Sequence, residues 1–381
     1  MSALIDLVKS KSSFEEVKSL LEAEPYFFNI TTTTDDNNDL YMVSFSEKSD
    51  LSSKIARQAN GVIFEKETNK LVHYLFEKCY EGISDVDEYS PVDDKLPKNL
   101  FDPSKIVTEL FFEGSVIKLF YHNNTWKTAT SRCLDASKTF WSSKKSFHEL
   151  FVETICNIYN TTFEEFLGFQ EKEKFCYSFL IQHPDNKMVI NVDTPIVFYL
   201  NIVDLETLSE YKPDRENLLV NKTFDELRDL NKNLCQNYMI YQVDEDNNIL
   251  YRIKYQNDDF LYRKKLFGNY PTIGLRYIEF IGNSEQQYLL RKHFPDNIRT
   301  FNLIDKLFFT ACKRIHGYYI KSHIKKESDG EAIPENYTKT IAQLHGQYRR
   351  TRQFITREDV ANKLKSIGVP RILAHIIGFR Y

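Results

Sequence analysis

Over residues 1–25, apolar and polar positions alternate at helical spacing, with Ser13 placed to cap a helix that carries Val17, Leu20 and Leu21. From Tyr26 to about Tyr80 the pattern changes to short strands with polar turns, and Thr31–Asp39 reads as a loop. Gly61–Glu65 and Val72–Phe76 flank the turn Glu67–Lys70, which predicts an antiparallel hairpin. Asp85–Pro103, rich in acids and prolines, reads as a surface connection. A second hairpin is expected from Ser115–Tyr121 and Trp126–Thr130 around His122–Thr125. Ser146–Leu167 has helical periodicity, with Phe147, Leu150, Phe151, Ile155 and Ile158 on one face. Strands return over Phe175–Val203 around the turn Pro184–Lys187. A short helix is expected at Thr223–Asn233, then further strands to about Phe280. From Glu285 onward the pattern is helical, with polar breaks near 327–336 and at Gly368. The order predicts an α+β chain with antiparallel sheets and a helical C-terminal domain, divided as 1–283 and 284–381, without internal repeats.

Composition adds little until it is resolved along the chain. With 381 residues, 42% apolar and 27% charged, two domains with a buried core are expected. The 29 Phe and 23 Tyr, with abundant Asn, Lys and Ile, suit an A+T-rich coding genome such as that of a virus or extrachromosomal element. Net charge is −4, yet residues 313–381 hold 14 Lys+Arg against 6 Asp+Glu, a segment at +8 on a body at −12. A basic tail on an acidic body suits a polyanion partner; a solvated helical surface would carry the same charge. The six cysteines are scattered without a C-x-x-C pair, so neither a zinc site nor a disulfide framework is expected. No apolar run of about 18 residues and no leader pattern occur, which predicts a cytoplasmic protein without membrane spans. Walker A, GxGxxG and HExxH patterns are absent.

Five segments carry candidate chemistry. They are Asn60–Glu65, Phe76-Glu-Lys-Cys-Tyr80, Phe111-Phe-Glu-Gly-Ser115, Tyr177–Ile190 and Arg252-Ile-Lys254. In order and spacing they resemble the motifs of the T4 RNA ligase 1-like nucleotidyltransferases. Asn60-Gly61 stands where that family has R-G, and Lys78 stands in its F-x-K-F-F-N segment. Phe111–Ser115 matches K-x-D-G-S, and Arg252-x-Lys254 matches the fifth motif, K-x-K. The stretch from Arg276 to Ile377 is similar to the C-terminal regions of ligase-like proteins of large DNA viruses.

The resemblance implies an adenylation-type domain in which a lysine amine attacks the α-phosphorus of ATP. AMP then passes to a 5′-phosphate RNA end, and a 3′-hydroxyl displaces it. The nucleophile must be a lysine of lowered pKa, because an ammonium has no lone pair to offer. Here that position is Phe111. Leu180 falls where the third motif has a glutamate, and Tyr238–Gln242 lacks the E-G of the fourth. The phosphate-facing cations are kept or exchanged as Lys78, Arg132, Arg252 and Lys254. Glu113 could accept a ribose hydroxyl, and Gly114 could allow close backbone approach. Lys118, four residues after Gly114 and on the same strand face, is a candidate displaced nucleophile; Lys105 is a second. ATP and Mg²⁺ are implied only for a working pocket.

These features point to a degenerate ligase-like protein that binds RNA, such as cleaved tRNA ends, as an immunity or RNA-protection factor. The alternative is an active ATP-dependent RNA ligase using Lys118. In the C-terminal segment, Arg349, Arg350 and Arg352, together with Lys321 and Lys325, are the candidate RNA contacts. A competing reading has the arginines pairing with Glu358 and Asp359. His316 and His323 would share a helix face, and Phe120, Phe179, Phe198 and Tyr199 read as core.

Overall fold

The computed structural model describes residues 2–22, 29–81, 102–187, 189, 192–213, 219–220, 222–223, 226–227, 237–246, 248–326 and 333–377. Two compact units emerge, 1–262 and 263–381.

The first unit opens with helices α1 (Ala3–Lys9) and α2 (Phe14–Glu22), whose buried faces Leu4, Ile5, Val8, Phe14, Val17 and Leu21 pack on a four-stranded antiparallel sheet. That sheet runs β1 (Ile30–Thr34), β2 (Leu40–Phe45), β3 (Asn60–Glu65), β4 (Leu71–His73), with helix α3 (Lys54–Gln58) between β2 and β3. The expected loop at Thr31–Asp39 is thus half strand. Its four threonines are β-branched and pair register for register with Tyr41–Ser44, and the turn begins only at Asp35. The hairpin around Glu67–Lys70 is present as β3 and β4.

A second sheet has the order β11 (Glu210–Tyr211), β10 (Ile196–Asp204), β9 (Phe175–Gln182), β7 (Ser115–His122), β8 (Thr125–Ala129), antiparallel throughout. The β7–β8 hairpin turns on Asn123 and Asn124, both at positive φ (49° and 58°), a conformation that asparagine tolerates. One face of this sheet, with Ile117, Leu119, Tyr177, Phe179 and Ile181, is covered by α4 (Phe147–Tyr159) and α5 (Phe163–Gly168). The other face sends Phe120, Ala129, Cys176 and Val203 into the core of the first sheet. The single helix expected over Ser146–Leu167 is two. Asn160 turns left-handed (φ 49°), and a second capping box, Thr162 with Glu165, starts α5.

The third sheet, β5 (Tyr80–Glu81), β13 (Ile249–Tyr255), β12 (Asn237–Val243), β6 (Ile106–Phe111), is antiparallel except for β5. The strands expected as far as Phe280 end at Tyr255. Asn257 accepts from the backbone N–H of Asp259 (2.8 Å) and Phe260 (3.3 Å), and this cap starts helix α6 (Asp258–Phe267). The aromatic residues that read as strand therefore sit on a helix. The helix expected at Thr223–Asn233 and the Asp85–Pro103 connection lie almost wholly outside the described residues.

In the second unit, α7 (Ile273–Glu279), α8 (Ser284–His293), α9 (Ile298–Tyr319), α10 (Glu335–Thr351), α11 (Arg357–Lys365) and α12 (Val369–Ile377) follow, with a π-helical turn over Ile320–Lys325. α9 contributes Phe301, Ile304, Phe308, Ala311, Cys312, Ile315 and Tyr319 to the interior, and α7, α11 and α12 contact it. The chain is therefore α+β, with antiparallel sheets followed by a helical C-terminal region. No described helix is long and apolar enough to cross a membrane.

Candidate functional site

The segment Phe111–Ser115 ends β6 in the third sheet and enters β7 in the second, so it forms the crossing between them. Register then decides what surrounds it. On β13, β12 and β6, Lys254, Met239 and Glu109 lie opposite one another in one row, and Arg252, Tyr241 and Val107 in the next. Side chains two apart on a strand share a face, so Phe111, Glu109, Arg252 and Lys254 all project from the same side. Cys79, Phe76, Met239 and Tyr241 pack on that face.

The cations gathered there are already engaged. The Lys254 ammonium lies 4.6 Å from the centroid of the Phe111 ring. Burial works against its charge, but Glu113, Cys79 and Glu81 together outweigh this and lift the lysine above its ordinary pKa. Arg252 pairs with Glu210 at 2.6 Å and lies over Phe76. Lys78 pairs with Glu81. Glu109, 0% exposed, holds Lys212 and accepts from the Tyr241 hydroxyl at 2.9 Å. Burial pushes the Cys79 thiol up although Lys254, Arg252, Lys78 and Arg57 pull it down. Glu210 and Lys212 come from β11 and the residue just after it. Where they meet the sheet, the remaining cavity is about 80 Å³, lined by Phe76, Glu109, Asn201, Tyr241 and Arg252 among others.

Glu113 receives the Gln256 side-chain amide on its carboxylate, and its carbonyl accepts from Gln182 at 2.6 Å. Gly114 is held by its neighbours: a Cβ there would meet the Ile181 carbonyl at 2.5 Å and Leu180 Cδ2 at 2.8 Å. Its small size serves packing against the leucine that stands at the third-motif position. Phe112 stacks on Phe198, with centroids 4.7 Å apart.

Lys118 does share the strand face of Gly114, but its side chain turns toward the first sheet. It is fully buried, and its ammonium donates to the carbonyls of Asn60 (3.1 Å) and Gly61. Burial, with a smaller push from Arg132, lowers its pKa to about 7. Among the described residues, neither of two large cavities of this unit, about 550 and 610 Å³, is lined by it. Arg132 points elsewhere again, donating to the Phe45 carbonyl, stacking over the Phe45 ring and lining the 550 Å³ cavity beside Lys127 and His148. Lys105 pairs with Glu245 at the surface. Among the described residues no cluster of three His, Cys, Asp or Glu could hold a metal ion.

In the second unit, Arg349 and Arg350 end α10, and Arg352 caps it in the left-handed conformation (φ 59°). All three are exposed, and among the described residues none has an ion pair. Asp359 is committed to the Thr356 cap and to Gln347 (3.2 Å) rather than to these arginines. Lys321 and Lys325 are exposed on the π-helical turn. His316 and His323 do not converge. His316 donates to the Ile355 carbonyl at 3.0 Å, while His323 packs against His345 with ring centroids 4.2 Å apart.

Arg57, Glu109, Glu210 and Lys212 were not legible as site residues. Arg57 is buried, donates to the Lys78 carbonyl and lies over Tyr80 at 3.4 Å. Its place three residues before Asn60 was the available signal, a cation next to a position where one was missing.

No family model matches the sequence. Among curated proteins, an immediate-early protein ICP-46 homolog of Invertebrate iridescent virus 6 is 22% identical over 270 residues, covering 63% of this chain and 58% of that protein. Its counterpart in Invertebrate iridescent virus 3 is 24% identical over 221 residues, covering 53% and 48%. The chain thus spans about half the length of the curated relatives it matches. Similar solved structures include an archaeal ATP-dependent RNA ligase, with a TM-score of 0.40, 9% identity and 99% of both chains covered. A putative ATP-dependent DNA ligase from Aquifex aeolicus has a TM-score of 0.36 at 9% identity, covering 88% of this chain and 84% of that one. A Naegleria gruberi RNA ligase mutant with ATP and Mn has a TM-score of 0.28 at 9% identity, covering 42% and 52%.

Proposed function

We propose that this chain is a ligase-like protein that binds RNA, such as the ends of cleaved tRNA, and does not seal it. One contrast carries the reading. The cations on the candidate catalytic face lie against the chain's own carboxylates or rings, whereas Arg349, Arg350 and Arg352 are exposed and, among the described residues, have no ion pair. A guanidinium without an internal partner can bind a phosphate and lose no existing pair. On the catalytic face, admitting a triphosphate would require breaking Arg252–Glu210 and opening a cavity of about 80 Å³. Small-molecule sites are usually several hundred Å³. ATP and Mg²⁺ fit these residues poorly, since Phe111 offers no amine and Leu180 no carboxylate. Shielding RNA ends from a nuclease would make such a protein an immunity or RNA-protection factor.

A second reading, nucleotidyl transfer from a displaced lysine, has the lowered pKa of Lys118 in its favour and the burial of that amine against it. The separating experiment incubates the full chain with α-labelled ATP or GTP and Mg²⁺ or Mn²⁺, beside an RNA-binding measurement on the same preparation. RNA binding without acid-labile label on the protein is expected. Label that survives Phe111→Ala and vanishes with Lys118→Ala would overturn the binding-only reading.

A further inference from the structure

We infer that Phe354 is a stacking platform for an unpaired base, so that the C-terminal unit takes single-stranded RNA in preference to duplex. The inference rests on the RNA-binding reading above and names the form of RNA. Phe354 is 80% exposed, and among the described residues no ring or cation packs on it. A singly exposed ring is ordinary by itself; what sets Phe354 apart is its anchoring and the charge around it.

The ring is not on a loose loop. On one side, Arg352 closes α10 with its N–H on the Tyr348 carbonyl at 2.7 Å. On the other, Ile355 is buried and its carbonyl accepts from His316. The next residue, Thr356, opens α11 with a reciprocal cap to Asp359. Phe354 is therefore fixed outward between two anchored helices, and little further ordering is needed to stack on it.

Charge selects the occupant. Four guanidinium groups lie within five residues of Phe354 in sequence, at Arg349, Arg350, Arg352 and Arg357, against the two acids Glu358 and Asp359, and among the described residues none of the four has an ion pair. An exposed aromatic ring beside unpaired cations matches a base and its flanking phosphates, the combination by which single strands are held. Phe169, equally exposed, has Glu164, Glu165, Glu171 and Glu173 against Lys172 and Lys174 within five residues, a net acidic setting. A base inside a duplex is covered by its neighbours and cannot reach the ring.

The test is anisotropy of the full chain with a fluorescein-labelled single-stranded oligoadenylate and with an RNA duplex of the same length. Phe354→Ala should weaken single-strand binding by about 5- to 100-fold and leave duplex binding unchanged. Phe354→Trp should retain affinity, and its indole emission should be quenched on adding the oligoadenylate. Equal affinity of wild type and Phe354→Ala, with no quenching, would overturn the stacking inference and leave RNA binding standing. Absence of binding to either RNA by the wild type would overturn both, and would return this surface to a protein partner.

Discussion

The Lys118 ammonium is held 3.1 Å from the Asn60 carbonyl oxygen and also donates to the next carbonyl, Gly61. The sequence resemblance sets Asn60 at an arginine position of ligase-like proteins and makes Lys118 the candidate replacement nucleophile. The two residues meet as a strut between the first and second sheets. Beside them, His73 places Nε2 3.1 Å from the Tyr177 carbonyl and 3.2 Å from the Ser178 hydroxyl; its imidazole is held neutral first by burial and then by the Lys118 charge. A lowered amine pKa here reports desolvation, and desolvation alone does not give access to a substrate.

Stability should therefore depend on pH through Lys118. Its pKa is about 7 in the folded chain and 10.5 ordinarily. Between those values the unfolded chain keeps a proton that the folded chain has released, so stability rises with pH; below 7 the burial penalty stands in full. Relative to Lys118→Met, the wild type should gain up to about 1.4 kcal/mol per pH unit in urea unfolding between pH 7 and 8.5. Above that range the buried Cys176 thiol, pushed up to about 12, works in the opposite direction. Parallel stability curves for the two proteins would refute the strut.

The Glu109–Lys212 pair should be costly to break from one side. Lys212→Met leaves a fully buried carboxylate without its ammonium partner and should lose about 3 kcal/mol in chemical denaturation. Adding Glu109→Gln removes the stranded charge while keeping an acceptor for Tyr241, and should recover most of that loss. If the double variant is as unstable as the single one, the pair does not act as described.

Two glycine substitutions should differ in sign. Gly61 has φ 69°, and a methyl there would meet the Ser131 carbonyl at 2.7 Å as well as the Lys118 ammonium. Gly61→Ala should cost more than about 2 kcal/mol, because strain and steric conflict add. Gly168, at the end of α5, has nothing within 4 Å of the added methyl, and Gly168→Ala should stabilise by about 0.5 kcal/mol. Thermal melts of both variants check the pair.

Neutralising Arg349, Arg350 and Arg352 together should weaken RNA binding and flatten its salt dependence. For single strands each lost phosphate contact removes about 0.7 from the slope of log affinity against log salt, so the triple variant should lose about 2. An unchanged slope would place the RNA elsewhere.

Much of the architecture was legible because periodicity is local. The two hairpins, the first helices and the helical C-terminal region follow from patterns a few residues wide. Errors arose where a single residue outweighed the pattern. Asn160 broke a helix, Asn257 began one among strand-like aromatics, and β-branched threonines made a strand of an apparent turn. The candidate site was legible in part. β alternation puts Arg252 and Lys254 on one face, but nothing local reveals that Phe111 joins them across β12, that Lys118 turns away from them or that Arg132 reaches Phe45.

By itself the sequence determined the order of its segments, the absence of a lysine at Phe111 and the concentration of positive charge in its last third. Only the tertiary structure decided which of those charges remain available. Arg252 meets Glu210 from 42 residues away, and Lys212 meets Glu109 from 103 residues away. Such pairs depend on which strands become neighbours and how far β11 reaches, and no periodicity encodes that. Among the described residues Arg349, Arg350 and Arg352 have no ion pair, and the nearby Asp359 is consumed in capping a helix, a commitment that appears only once the helix has formed.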